Sequence, residues 1–284
     1  MHTLTPEKEN PMQLPALKTP AGACDCHMHV YEDRFALAPT ATFKPPHAPA
    51  SEYRKVQAAL GLQRMVVVQP TGYGFDNSCT LQAMATFGSN ARGIVVICPD
   101  TSEAELRRLH ALGVRGVRYM MVTGGVLQWD TLEAMAAHIQ PLGWHIDLQL
   151  DGRDLPQHED RLRRLPGDLV IDHNGKFLEP VPPEHAGFQA LLRLLDSGRC
   201  WVKLSAPYET SKAGPPRYDD VSVLARALVE ANPERCLWAS NWPHPNMNPV
   251  PSSAAMLDLL LHWADDNETR RKILVDNPAL LYGY

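Results

Sequence analysis

The chain has 284 residues, 44% hydrophobic and 21% charged, with a formal net charge of -5. That length suits one α/β barrel of roughly 250 residues or two small domains, and the acidic balance argues against a nucleic-acid partner. No run approaches the about 18 consecutive apolar residues of a spanning helix, so no membrane partner is expected.

Residues 1–22 lack both the apolar stretch of a secretory signal and the Arg-rich amphipathic pattern of a transit peptide. They read as an extended lead-in, and the protein as cytoplasmic. Six cysteines (24, 26, 79, 98, 200 and 236) form no C-x-x-C pair and read as reduced, mostly buried thiols. From residue 23 onward, short β-branched apolar runs alternate with helical periodicity. Strands are predicted over 24–30, 65–69, 93–97, 114–119, 144–150, 168–173, 200–205 and 235–240. Helices are predicted over 51–61, 77–88, 102–112, 130–140, 155–164, 184–197, 218–231 and 252–264, with a further one over 267–281. Ser51 is a candidate cap for a helix opening at Glu52, and Thr101 or Ser102 precedes Glu103 and Glu105. This alternation predicts an α/β protein of the (β/α)8 TIM-barrel type, one domain over 23–284. A doubly wound sheet normally carries a Gly-rich phosphate turn after its first strand. Here the first strand ends in His-x-His, and no linker divides the chain.

A barrel places its chemistry at the C-terminal ends of its strands. Those ends offer His27, His29, Gln69, Arg118, Gln149, His173, Lys203 and Asn241, with His244 just beyond. His27 and His29 are two apart on a strand and so share a face, the interior one in a barrel. A lone histidine is more often structural; two on one inward face favour a site. His145, early in its strand, reads as a core or capping residue. His47, His110, His138, His158, His185 and His262 fall on helices or loops and read as solvated. Arg118 and Lys203 fit either rim salt bridges or recognition of a substrate carboxylate, for which arginine offers a bidentate fork. Gln149 is a weaker candidate for substrate binding, and Arg153 and Lys176 on the following loops weaker still. A His-x-His, a third histidine and an aspartate would make a zinc site. The anionic ligand is missing after the eighth strand, and the fifth strand ends in Gln149 rather than histidine, so neither metal nor other cofactor is expected.

In chain order, His27-Met28-His29, Gly116-Val117-Arg118, Ile171-Asp172-His173 and Trp242-Pro243-His244-Pro245-Asn246 resemble the amidohydrolase superfamily. Within it they are most similar to the 2-pyrone-4,6-dicarboxylate lactonase-like branch. The likeness runs from about Gly22 to Tyr282. It implies a barrel, a carboxylated lactone as small-molecule substrate, and metal-independent chemistry in which histidines and cations polarise the lactone carbonyl. The candidate catalytic residues are His27, His29, His173, Asn241 and His244, and the candidate substrate contacts are Arg118, Gln149 and Lys203. In the lactonases an aspartate in the last segment activates water. Asn241 stands in that place, and an amide has neither charge nor useful basicity. The departure favours an isomerase that interconverts the 1,5- and 1,4-lactones of a sugar diacid by intramolecular acyl transfer. The rival expectations are a lactonase and a non-catalytic sugar-acid-binding protein. A homo-oligomer is compatible with the sequence.

Overall fold

The structure, a computed structural model, describes residues 13–284. Eight strands lie in sequence order in one parallel sheet: β1 Cys24–Met28, β2 Arg64–Val68, β3 Ala91–Val95, β4 Val114–Met120, β5 His145–Gln149, β6 Leu169–Ile171, β7 Cys200–Leu204 and β8 Cys236–Trp238. The sheet closes into a barrel just above β1 and β8, where the Asn241 amide donates to His27 O at 2.9 Å and the His29 amide to Trp242 O at 2.8 Å. Seven helices follow the first seven strands in turn: α1 Ala50–Leu60, α2 Ser78–Phe87, α3 Glu103–Ala111, α4 Leu132–Ile139, α5 Leu155–Arg164, α6 Ala186–Asp196 and α7 Asp219–Ala231. After β8 come α8 Ser253–Asp258, α9 Leu260–Trp263, α10 Asn267–Arg271 and α11 Asn277–Tyr282.

Parallel strands covered on both faces need continuous apolar runs rather than alternation. Met65, Val66, Val67 and Val68 of β2 meet that requirement, all four being buried. Met65 and Val67 join the layer between sheet and helices, whereas Val66 and Val68 join Ile94, Val170, Trp201 and Leu237 inside the barrel. Tyr282 of α11 belongs to this inner cluster and closes the barrel floor beside His145, with ring centroids 5.4 Å apart. The expected core placement of His145 matches its position. Gly116 in β4 makes room for it, since a β-carbon there would lie 2.7 Å from His145 O and 2.9 Å from its Nε2.

All eight strands fall where the sequence predicts them. The helices differ in detail. The 252–264 segment breaks at Leu259 into α8 and α9, and the 267–281 segment widens into a π turn over Lys272–Asp276. Pro278 accounts for the widening, because it has no N–H with which to continue the ladder. Ser102 caps α3 as expected, accepting from the Glu105 amide at 3.2 Å. Ser51 does not cap, because α1 begins one residue earlier, at Ala50 after Pro49. Residues 1–12 of the expected lead-in lie outside the described residues. Residues 13–22 lie against the barrel, with the Ala16 and Leu17 amides donating to Asp258 at 3.0 and 2.8 Å. All six cysteines are free, and only Cys98 is exposed. No helix among the described residues is long and apolar enough to cross a membrane.

Candidate active site

The pairing of β1 with β2 shifts register between Asp25 and Met28. Strict alternation would put Asp25 inside with His27 and His29, and Cys24 and Cys26 outside. The irregularity changes the parity. Cys24 and Cys26 line the interior below the histidines, while Asp25 turns toward α1 and β8. There its buried carboxylate accepts from the Tyr53 hydroxyl (2.9 Å), the Ser240 amide (2.9 Å), the Ser240 hydroxyl (2.5 Å) and the His27 amide (3.2 Å). These contacts stitch the first strand to the last and fix the backbone on which both histidines sit.

Below the mouth lies a fully buried charged knot. Lys203 Nζ is 2.5 Å from Asp147, 3.1 Å from Asp172 and 3.1 Å from His27 Nδ1. Burial alone would lower the lysine and raise both aspartates. The two carboxylates outweigh burial and raise Lys203; the Lys203 ammonium in turn holds Asp172 well below the usual range against burial. Asp147 is raised by burial and by the neighbouring Asp172 charge. His27, His29 and His173 are all lowered, by burial first, and His29 falls to about 3.

One proton arrangement satisfies the hydrogen bonds of His27 and His29 to Lys203, to each other and to Val68, and it leaves the His27 Nδ1 lone pair 3.3 Å from Asp172 Oδ1. His29 Nδ1 lies 2.8 Å from Val68 O, an atom that can only accept, so this nitrogen carries hydrogen. In the neutral ring His29 Nε2 is then an acceptor, and His27 Nε2, 3.1 Å away, donates to it. His27 Nδ1 is left to accept from Lys203. The chain runs in one direction, from ammonium to backbone carbonyl, and every ring stays neutral.

Above the knot the strand ends open into a cavity of about 320 Å³. His29, Arg118, Gln149, His173 and Asn241 line it, together with Tyr31, Lys176 and Glu209. Arg118 donates to Gln69 O and Gln149 Oε1, both at 2.9 Å, which fixes the guanidinium plane; its Nε has no partner. His173 Nδ1 is 2.8 Å from Ser205 Oγ, leaving Nε2 for a ligand. Asn241 adopts a left-handed backbone at φ 56°, which asparagine tolerates better than most residues. Its Nδ2 reaches Glu209 Oε1 at 2.8 Å and the Tyr208 hydroxyl at 3.0 Å. The reverse amide orientation would set oxygen against a carboxylate. Glu209 also pairs with Lys176, which burial and the Arg118 charge lower to about 8 although Asp172 opposes them. His173, Asn174, Lys176, Ala206, His244 and Asn246 share positive φ. Such backbone strain gathers at functional sites.

Three expected site residues lie off the cavity: His27 is fully buried below it, with its ring nitrogens on His29 and Lys203. Lys203 is wholly buried under His27 and does not line the cavity, because its side chain is spent on two carboxylates. His244 lies behind Asn241, bridging the Tyr208 hydroxyl and Ser253 Oγ at 2.9 Å each, and burial lowers it to about 4. Of the histidines read as solvated, only His47 and His262 are exposed. His110 accepts from Trp144, His138 contacts Thr101 O, His158 stacks on Trp129, and His185 caps α6. Glu209, Tyr208, Asp147 and Asp172 escaped the sequence reading. For the two aspartates a signal existed: inward parity shared with Gln149 and with Val170.

His27, Asp172 and His173 bring possible metal-ligand atoms within 4.8 Å of one another. The arrangement does not fit a metal. The lone pairs of His27 and His29 are taken by the directional chain, and the Lys203 ammonium already supplies the cation beside Asp172.

A (β/α)8 barrel whose histidines and charged groups converge on its C-terminal mouth has the form of a barrel enzyme. The chain belongs to the amidohydrolase family, whose profile matches residues 24–284. It is 34% identical to D-galactarolactone isomerase of Agrobacterium fabrum, covering 93% of this chain and 91% of that protein. It is 36% identical to 2-pyrone-4,6-dicarboxylate hydrolase of Comamonas testosteroni, over 94% and 92%. A crystal structure of an Agrobacterium tumefaciens protein superposes with a TM-score of 0.90 at 32% identity, covering 95% of this chain and 98% of that one.

Proposed function

We propose that this enzyme acts on a carboxylated sugar lactone and interconverts its 1,5- and 1,4-rings, as in galactarate breakdown, by intramolecular acyl transfer. The observation that carries the reading is Asn241. It occupies the cavity wall at the end of β8 with its Nδ2 committed to Glu209 and Tyr208, and it has no charge with which to activate water. Isomerisation requires only that the substrate's C4 hydroxyl reach its own C1 carbonyl. That attack is intramolecular, so positioning supplies much of the acceleration. Arg118 receives the substrate carboxylate, and His173 Nε2 faces the lactone carbonyl. The Lys203–Asp147–Asp172 knot holds His27 and His29 in place from below. The likeness to both an isomerase and a hydrolase keeps a second reading alive, and the carboxylate of Glu209 in the cavity favours it: hydrolysis of the lactone by an activated water.

NMR of the protein with galactaro-1,5-lactone separates them. Growth of 1,4-lactone supports isomerisation; open-chain diacid as the main product means a lactonase, and an unchanged spectrum sinks both. The reading also makes the reaction metal-independent. Full activity is expected after exhaustive chelation, and loss of turnover that returns with added zinc would refute it.

A further inference from the structure

We propose that Glu209 is the proton carrier of the ring exchange, taking the hydrogen of the attacking hydroxyl and returning it to the departing ring oxygen. The assignment rests on the isomerase reading above and names the group that reading leaves open. Three histidines come near the cavity, and none is suited to the task. His27 and His29 spend their Nε2 atoms on each other; His173 has Nδ1 on Ser205, and its Nε2 is the atom placed on the lactone carbonyl. Arg118 and Lys176 are cations, and Asp147 and Asp172 are locked under Lys203. Glu209 is the carboxylate among the cavity-lining residues. Asn241 and Lys176 fix its direction, and its side chain retains 19% exposure toward the opening.

The chemistry of the intermediate suits one carboxylate. Glu209 removes the C4 hydroxyl proton as O4 bonds to C1, and the carbonyl electron pair moves onto oxygen. In the resulting tetrahedral species the entering O4 and the leaving O5 sit on the same carbon. When the oxyanion re-forms the carbonyl, the C1–O5 bond breaks and O5 takes the proton back from Glu209. No water, proton or electron is gained or lost. A carboxylate presents two oxygens, so it can serve both positions without moving across the site. Lys176 acts through Glu209 by holding its carboxylate aimed.

The experiment is Glu209→Gln, assayed with both lactones by NMR. The glutamine oxygen can still accept from Asn241, so the fold is expected to stand. kcat is expected to fall by about 10²–10⁴, the range for general acid–base catalysis, with KM nearly unchanged. The acid limb of the wild-type pH–kcat profile should vanish with it. If Glu209→Gln does not fold, Glu209→Asp keeps the charge and the Lys176 pair. A fall in kcat of at least about tenfold with unchanged KM then supports the assignment. Wild-type kcat in either folded variant, or a retained acid limb in Glu209→Gln, overturns it while leaving the isomerase reading intact. Wild-type protein that exchanges neither lactone overturns both.

Discussion

Lys203 and Lys176 are both buried lysines at neighbouring heights of one barrel, and their acidities move in opposite directions. Lys203 on β7 has two buried carboxylates within 3.1 Å, and they raise it despite complete burial. Lys176, on the loop after β6, pairs with the part-exposed Glu209; burial and Arg118 lower it to about 8. Desolvation pushes both the same way, so the arrangement of neighbouring charge decides the outcome. The lower lysine is a fixed charge that holds other side chains still. The upper one sits at the cavity wall and orients a single carboxylate, Glu209.

The sharpest way to break this contrast is to remove each ammonium in turn. Lys203→Met strands two buried carboxylates and is expected to cost about 3–5 kcal/mol, read from the denaturant midpoint. Lys176→Met removes the partner of one part-exposed carboxylate and is expected to cost less than Lys203→Met. Equal costs would end the distinction. Arg118→Ala should reduce kcat/KM by about 1.5–3 kcal/mol, the range for a charged hydrogen bond, measured on protein shown to be folded. The neutral rings set the acid limit. His244 titrates at about 4 when folded against 6.5 otherwise, so unfolded chains bind its proton first as pH falls. Stability is therefore lost from about pH 6.5 downward, by about 2 kcal/mol for such a ring at pH 5. A flat melting temperature across that window would contradict neutral histidines. Asn241→Asp is the subtlest change. The new carboxylate would meet Glu209 at the position now bonded over 2.8 Å, and two such groups cannot both ionise freely. Some open-chain diacid is expected beside the 1,4-lactone, increasing with pH as the shared proton leaves. An unchanged product ratio would show that Asn241 is not at the water-activating position.

The barrel is legible in the sequence because each strand, covered on both faces, must be an uninterrupted apolar run. Val66-Val67-Val68 and Leu169-Val170-Ile171 leave no other reading at that length. Arg118, Gln149 and His173 are legible because a polar side chain at the end of such a run faces the mouth. Lys203 misleads for a reason of depth. It obeys the same inward parity, but sits low enough for its long stem to reach Asp147 and Asp172 across the interior. Reading His145, Asp147 and Gln149 as one inward file would have shown it a partner. The β1 irregularity and Glu209 are different. Nothing periodic announces a register shift, and Glu209 reaches the cavity through a loop that turns at Ala206 with φ 46°.

Asp25 also bears on the order in which the molecule assembles. Three of its four hydrogen bonds come from Tyr53 and Ser240, and Ser240 lies 215 residues further along the chain. During synthesis the carboxylate and the open edge of β1 must wait until nearly the whole polypeptide has emerged. Contacts so distant in sequence carry a large loop-closure cost and form slowly. The same stitch that aligns His27 and His29 with Asn241 therefore belongs to the final stage of folding, and the active site is completed only when the two ends of the sheet meet.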